Sequence, residues 1–202
     1  MKKFSLMMLL GLVLVPTLAF SDANINDSAQ LLNRQTRELI KQKNNRYFQT
    51  KEQPQIEVRT FKRVKHLTPK KLNQHRRRVY LVIGVTAAKR EVQIYSSKDL
   101  HSSFTATIRG NIIRAAVTDL QSKHSAKLNR GIRFVFRAIA TKIDQRYQYA
   151  LDKYDLSSDE LAKVNHAHTL ALPMALAIVI LISALAYLFK QTRRRHDDEQ
   201  TK

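Results

Sequence analysis

A long uncharged run near the carboxyl end constrains the fold of this chain more than any other feature. Residues 169–189 read TLALPMALAIVILISALAYLF, and at ~1.5 Å per residue such a helix spans the ~30 Å hydrocarbon core of a bilayer. A basic tail at 190–202 follows directly, and positive charge beside a span marks the cytoplasmic side. The sequence therefore predicts a transmembrane helix at 169–189 and a cytoplasmic tail, rather than a buried core helix.

The amino end has the layout of a secretory signal peptide. Lys2 and Lys3 precede the apolar run at 4–15, and small residues follow Pro16. This order of basic, apolar and small residues predicts a signal peptide at 1–23, with an uncleaved anchor as the alternative. Residues 24–168 would then form one extracytoplasmic domain, with the membrane crossed once.

Composition narrows the chemistry of that domain. The chain has no cysteine, which excludes a disulfide framework, a zinc–thiolate site and thiol catalysis. It carries 36 Lys and Arg against 16 Asp and Glu, a net charge of +20. Outside a cell, such charge attracts anionic wall polymers or lipid headgroups, whereas nucleic acid is a disfavoured partner there. A solvated basic face is the alternative.

Hydrophobic periodicity predicts an α/β fold, a small mixed β-sheet sandwiched by helices. The predicted elements, in chain order, are a helix from Asp27 or Ser28 to 48, a strand at 55–60, a short helix at 70–74, strands at 79–85 and 91–95, and helices at 104–120, 126–154 and onward from Ser157 or Ser158. The strand at 79–85 is apolar on both faces, so we expect it in the centre of the sheet.

The helices at 104–120 and 126–154 differ in their apolar patterns. The helix at 104–120 has only a narrow polar stripe, so we expect it to be mostly buried, with Ser102 or Ser103 as its N-cap. The helix at 126–154 has a continuous apolar stripe that runs from Leu128 to Leu151. Gly131 is expected to fray its first turn.

Basic side chains are the strongest functional candidates. They are dense between residues 62 and 78, recur in the turn at 89–90, and form one face of the helix at 126–154. The candidates for contact with an anionic polymer, lipid or protein are Lys62, Arg63, Lys65, Lys70, Lys71, Arg76, Arg77, Arg78, Lys89, Arg90, Arg130, Arg133 and Arg137.

The segments SAQLLNRQTRELI, QPQIEVRT, VYLVIGVTAAKREVQIYSS and FVFRAIATKID together resemble the TPM-domain family. That resemblance implies an exported, membrane-anchored helix–sheet–helix domain of the bacterial cell envelope. In the family, acidic residues in the hairpin turn and a glycine-rich loop are associated with metal binding, and in some members with phosphatase activity.

The corresponding loop of this chain lacks those features. It contains Ser96, Ser97, Asp99 and His101, without glycine and with a single carboxylate, and the turn at 86–90 is not acidic. A hard cation requires several converging oxygens. We therefore interpret the loop as a degenerate family site, and predict no catalytic residue, no metal ligand and no cofactor.

Two further constellations have simple alternatives. Asp99 and His101 could act as an acid–base pair, but we favour a polar loop that enters a helix, because general acid–base catalysis needs a paired partner and none is evident. His166 and His168 could share a metal or sense pH, or form a polar linker beside the membrane. No serine lies in a G-x-S-x-G elbow.

These patterns predict a non-catalytic, membrane-tethered interaction module with its amino-terminal domain outside the cell. One alternative, implied only by the family resemblance, is a phosphatase-like hydrolase or a metal-binding protein. Another is an accessory subunit of a second membrane protein, since small residues such as Ser183 and Ala184 allow close helix contact in a span.

Overall fold

A computed structural model describes residues 24–67 and 75–165, together with Ile180, Ile182 and Ser183. The predicted signal peptide, the short helix at 70–74, the two membrane-proximal histidines, the tail and nearly all of 169–189 lie outside the described residues. No helix within the described part is both long enough and apolar enough to cross a bilayer.

The described strands form a four-stranded mixed sheet in the order β1-β2-β3-β4. The strands are β1 (Ile25–Asp27), β2 (Gln55–Phe61), β3 (Arg78–Val85) and β4 (Arg90–Ser96). The first three run parallel, and β4 pairs antiparallel with β3 in the predicted hairpin, with Leu81 opposite Ile94. The sequence did not predict β1, because three residues are too short to show alternation.

Within the described parts of residues 24–165, four α-helices accompany the sheet in this α/β fold. They are α1 (Arg34–Phe48), α2 (Ala106–Leu120), α3 (Ser125–Tyr147) and α4 (Ser158–Asn165). The predicted cap of α4 is confirmed as a reciprocal pair, since the Ser157 hydroxyl accepts the Glu160 N–H while the Glu160 carboxylate accepts the Ser157 N–H.

The predicted start of the first helix is wrong. The helix begins at Arg34, and Asn33 is its N-cap because the Asn33 side chain accepts the Thr36 N–H. Asp27 instead ends β1, and its carboxylate accepts the N–H groups of Leu31 and Leu32. A carboxylate that satisfies loop amides looks in sequence like a helix cap, since both accept nearby backbone N–H groups.

Strand β3 is buried on both faces, as predicted. Val79, Leu81 and Ile83 join the helices in one hydrophobic core. Tyr80 and Val82 point to the opposite face and are only 2% and 3% exposed. The described helices therefore cover one face of the sheet. On the other face, Val64 and Leu67 of the connection after β2 lie against Gly84, so the predicted sandwich of helices on both faces is not seen among the described residues.

Helix α2 is less buried than its pattern predicts. Its buried residues are Ile112, Ala116 and Leu120, while Val117 is 44% exposed. The helix packs on α3, α4 and the edge strand β4, so an edge position leaves part of its apolar surface uncovered. Its N-cap is Thr105, two or three residues later than predicted.

Helix α3 ends earlier than predicted, at Tyr147, where Gln148 adopts the left-handed conformation. Leu151 is consequently 54% exposed rather than part of the core stripe. Gly131 does not fray the helix but allows it to touch the end of α2, since a Cβ atom at 131 would lie 2.9 Å from the Asp119 Cβ.

Candidate functional site

The basic run at 62–77 is the crossover that connects the parallel strands β2 and β3, and we call it the crossover. Its first part crosses the sheet face opposite the helices. The Val64 N–H donates to the Val85 carbonyl, and the Leu67 N–H donates to the Glu91 carboxylate. Gly84 lies beneath this segment, since a Cβ there would be 2.5 Å from a Val64 methyl group. These contacts hold the beginning of the crossover against the sheet.

Four cations surround that fixed segment. Lys62, Arg63 and Lys65 belong to the crossover, and Lys89 lies in the neighbouring hairpin turn; all four are exposed. Among the described residues, no acidic side chain forms an ion pair with any of them. Their positive charge is therefore exposed to solvent.

The other end of the crossover is more strongly tied to the fold. Arg76 is exposed, whereas the Arg77 guanidinium donates to the Glu52 carbonyl at 2.8 Å. Arg78 reaches Glu57 at 3.5 Å. Lys70 and Lys71 lie outside the described residues.

Arg90 has a structural role that the sequence did not indicate. Its Nη1 donates to the carbonyls of Leu120 and Ser122 at 3.3 and 2.9 Å. These carbonyls lie at the carboxyl end of α2, where helix carbonyls lack intrahelical partners and a cation is favourable. Arg90 is thus occupied as a helix cap.

The three candidate arginines of α3 lie elsewhere, in an open groove of about 800 Å³ that we call the groove. Its walls come from α1, α2, α3, α4 and the connection before α4. Helix α1 turns Ile40 and Asn44 toward the sheet, where Asn44 bonds the Ile56 backbone, and turns Glu38 to the groove. The groove and the crossover therefore lie on opposite sides of the domain, so the predicted basic residues form two surfaces.

Two of these arginines are neutralised within the groove. Arg130 makes a bidentate contact with Asp119 at 2.6 and 2.7 Å, and this contact lowers the pKa of Asp119. Arg137 contacts Glu160 at 2.8 Å and donates to the Asp155 carbonyl. Partial burial opposes ionisation of Glu160, but the Ser157 N–H and Arg137 lower its pKa overall. These pairs fix two guanidinium groups and cancel their charge.

Arg133, between them, has no acidic partner among the described residues. Its Nη1 donates to the Thr36 hydroxyl at 3.3 Å, and Thr36 in turn donates to the fully buried Asn129 at 2.8 Å. Partial burial, together with the nearby Arg130 charge, lowers the pKa of Arg133. Among the described residues of the groove, Arg133 is thus a cation that is held in orientation by a hydrogen bond and has no carboxylate partner.

The loop that the family resemblance indicated is held by structural contacts. Both Asp99 oxygens accept the Arg77 N–H. Although partial burial opposes it, hydrogen bonds from Ser97 and the Arg77 N–H lower the pKa of Asp99. The His101 ring lies 3.4 Å from the Ser96 hydroxyl rather than beside Asp99. The carboxylate and the imidazole therefore have separate partners.

A buried charge cluster was missed by the sequence reasoning. The ammonium of Lys43, a residue only 1% exposed, lies 2.6 Å from Asp144, 3.1 Å from Asp152 and 3.2 Å from Asp155. Arg46 adds a contact to Asp152 at 2.9 Å. We call these five residues the Lys43 cluster, and it fastens α1 to the end of α3 and to the connection before α4.

The Lys43 cluster has more carboxylates than cations. One oxygen each of Asp144 and Asp155 is buried without a hydrogen-bond partner. Desolvation is the main cause that raises the pKa of Asp144 to about 6, against the opposing effect of Lys43. Within the described residues these three aspartates are the one acidic group close enough to share a metal ion, but the Lys43 ammonium already bonds all three.

A signal for this cluster was present in the sequence. Lys43 falls between Ile40 and Tyr47 on the stripe of α1 that includes Asn44, and all four residues are buried. A lysine inside an apolar stripe needs a buried counter-charge. Its partners were not predictable, because Asp152 and Asp155 lie in an irregular connection. The sequence pattern placed Asp152 in the long helix and Asp155 between two helices.

The chain matches no family model, no curated protein sequence and no solved structure. The resemblance to the TPM-domain family consequently stays a hypothesis. Functional inference for this protein rests on the charges and contacts of the crossover, the groove and the Lys43 cluster.

Proposed function

We propose that this chain is a non-catalytic interaction module, tethered to a membrane by one helix, that contacts an anionic partner outside the cytoplasm. The partner is an anionic wall polymer, lipid surface or protein. The proposal keeps the TPM-like fold, the signal peptide at 1–23, the transmembrane helix at 169–189 and a cell-envelope location as its hypothetical frame.

The observation that carries the proposal is the exposed charge of the crossover. Lys62, Arg63 and Lys65 project from a segment that a backbone hydrogen bond and close packing hold against the sheet, and Lys89 projects from the neighbouring hairpin turn. Because no ion pair among the described residues involves these four exposed side chains, their charge is available to solvent and to a ligand. A fixed positive surface attracts polyanions and speeds their association.

The same geometry gives little support to the hydrolase alternative. Asp99 is engaged by the Arg77 amide, and Ser97 is buried with its hydroxyl accepting the Arg78 N–H. General acid–base work needs a positioned pair that can reach a substrate. The loop residues instead connect the start of β3 with the end of β4.

Binding of the full chain to defined anions tests the proposal. The protein would be held in uncharged maltoside micelles and incubated with immobilised poly(glycerol phosphate), or with anionic and neutral phospholipid vesicles, at low and high salt. We expect binding to an anionic ligand that falls with rising salt, because salt screens exposed charges. Binding to the polymer alone or to the anionic vesicles alone would identify the class of partner.

The matched variants change three lysines to serine. Lys62, Lys65 and Lys89 are changed in the crossover variant, and the exposed Lys51, Lys123 and Lys127 are changed in the control. Both variants lose the same charge, so a greater loss of binding in the crossover variant would locate the contact. Equal losses would leave only net charge as the cause, and absence of low-salt binding to every ligand would overturn the proposal.

A further inference from the structure

We propose that the groove is a binding site for a phosphate group, with Arg133 as its central ligand. This inference deepens the proposed function and rests on it, since it names the chemistry that the domain recognises. It concerns a different surface from the crossover, so the two can be tested separately.

The charged side chains that line the groove favour an anionic ligand. The lining contains five cationic side chains, namely Arg130, Arg133, Arg137, Lys153 and Lys163, and three acidic ones, namely Glu38, Asp119 and Glu160. When all are ionised, the lining has an excess of two positive charges. Phosphate groups carry one or two negative charges near neutral pH, which matches this excess, although Glu38 at the exposed rim opposes it.

The position of Arg133 supports a specific contact rather than a diffuse one. Thr36 accepts one of the five N–H donors of the guanidinium, and Asn129 fixes the Thr36 hydroxyl. Asn129 is itself anchored, since its amide donates to the Leu31 and Ser125 carbonyls. The Arg133 side chain is therefore oriented before any ligand arrives, which lowers the entropy lost on binding.

The neighbouring ion pairs hold the groove carboxylates away from Arg133, so that its guanidinium can bind an external anion. Asp119 is held by both Arg130 contacts, and Glu160 is held by Arg137 and the Ser157 N–H. Neither carboxylate is within ion-pair distance of Arg133. A guanidinium binds phosphate through two parallel N–H bonds, and the groove beside Arg133 has room for a group much larger than phosphate.

The test measures binding of inorganic phosphate to the full chain in uncharged maltoside micelles, by calorimetry at constant ionic strength. R133Q removes the central ligand, and R146Q removes the same charge from an exposed position of the same helix outside the groove. We expect R133Q to weaken phosphate binding about 10- to 100-fold, as for a lost hydrogen bond to a charged group. R146Q should change it less than about twofold, and R133K should fall between them because lysine binds as a point charge.

Two arms distinguish the source of the phosphate. Vesicles that contain phosphatidic acid present a lipid phosphate, and glycerol phosphate presents a soluble one. If R133Q loses binding to both, a lipid headgroup reaches the groove; if it loses only glycerol phosphate, the ligand is soluble. Either result supports the site.

The inference is overturned if the wild-type chain does not bind phosphate, or if R133Q and R146Q bind it equally. The crossover variant separates this failure from failure of the proposed function. If Lys62, Lys65 and Lys89 are needed for polyanion binding while R133Q behaves as wild type, only the phosphate site of the groove is wrong.

Discussion

The Lys43 cluster and the groove both place charged side chains in protected positions, but they resolve the charge differently. Within the cluster, the Lys43 ammonium has three carboxylate partners and the excess charge is negative. Within the groove, Arg130 and Arg137 have carboxylate partners, Arg133 has no carboxylate partner among the described residues, and the excess charge is positive. Charge satisfied inside the chain stabilises the fold, whereas charge left unsatisfied in an open groove is available to a ligand.

Replacement of Lys43 by methionine should have the largest effect on stability. K43M would leave three protected carboxylates with only Arg46 nearby, and removal of one partner of a buried ion pair costs about 3–5 kcal/mol. Denaturant unfolding of the full chain measures the loss. K51M, which removes an exposed lysine, should stay within about 0.5 kcal/mol of wild type. Similar losses in both variants would show that the cluster does not hold the fold.

Replacement of Gly131 by alanine should have the next largest effect, since it alters the wall of the groove. A Cβ at this position would meet the Asp119 Cβ at 2.9 Å and the Leu120 nitrogen at 3.0 Å. Overpacking of this kind costs about 1–3 kcal/mol, and displacement of Asp119 should also weaken its hold on Arg130. The control is G110A, whose new methyl group would meet only the flexible Arg114 side chain at 3.6 Å. If G131A were as stable as G110A, close contact between α2 and α3 would not be required.

The excess negative charge of the Lys43 cluster should make the free energy of unfolding depend on pH. The pKa of Asp144 is raised from 3.8 to about 6 in the folded chain, so between these values the folded state binds more protons than the unfolded state. Stability from this group therefore falls as pH rises from about 4 to 6. Lowered pKa values at Asp119 and Glu160 act in the opposite direction, so the comparison must be made with a variant.

The measurement is the free energy of unfolding of wild type and D144N at pH 5 and pH 7. We expect wild type to gain stability at pH 5 relative to D144N, by on the order of 1 kcal/mol. An identical pH dependence in the two proteins would mean that Asp144 ionises normally and that the cluster carries no unsatisfied charge.

Replacement of Arg133 by glutamine should have the smallest effect on stability. R133Q removes a partly buried cation that has no acidic partner, so unfolding should change by less than about 0.5 kcal/mol. K43M and R133Q each remove one positive charge, but only K43M leaves carboxylate partners without their cation. A loss of several kcal/mol in R133Q would assign Arg133 to the fold instead of to a ligand.

The sequence predicted the regular parts of this fold because those parts follow simple periodicities. The hairpin of β3 and β4 and the doubly buried β3 appeared directly in the pattern of apolar residues. Strand β1 and the end of α3 did not, because they depend on distant contacts, such as the hydrogen bond from the Thr60 hydroxyl to the Asp27 carboxylate and the ion pairs of Lys43. Propensity cannot report such tertiary constraints.

The candidate site was predictable in its residue types but not in its arrangement. Basic side chains of the crossover and of α3 were identified together, yet they lie on opposite sides of the domain. Which cations have internal partners is decided by Asp119, Glu160 and the carboxyl end of α2, and these are far from their arginines in sequence. Arg90 and Arg133 look equivalent in sequence, although one caps a helix and the other faces the groove.

The most direct test is a crystal structure of the full chain grown with tungstate, an electron-dense analogue of phosphate. We expect anomalous density in the groove within hydrogen-bond distance of the Arg133 guanidinium. We expect none beside Lys43, because its three aspartate partners repel an anion. An empty groove, or tungstate bound only to other surface cations, would contradict the claim that Arg133 is held ready for an external phosphate.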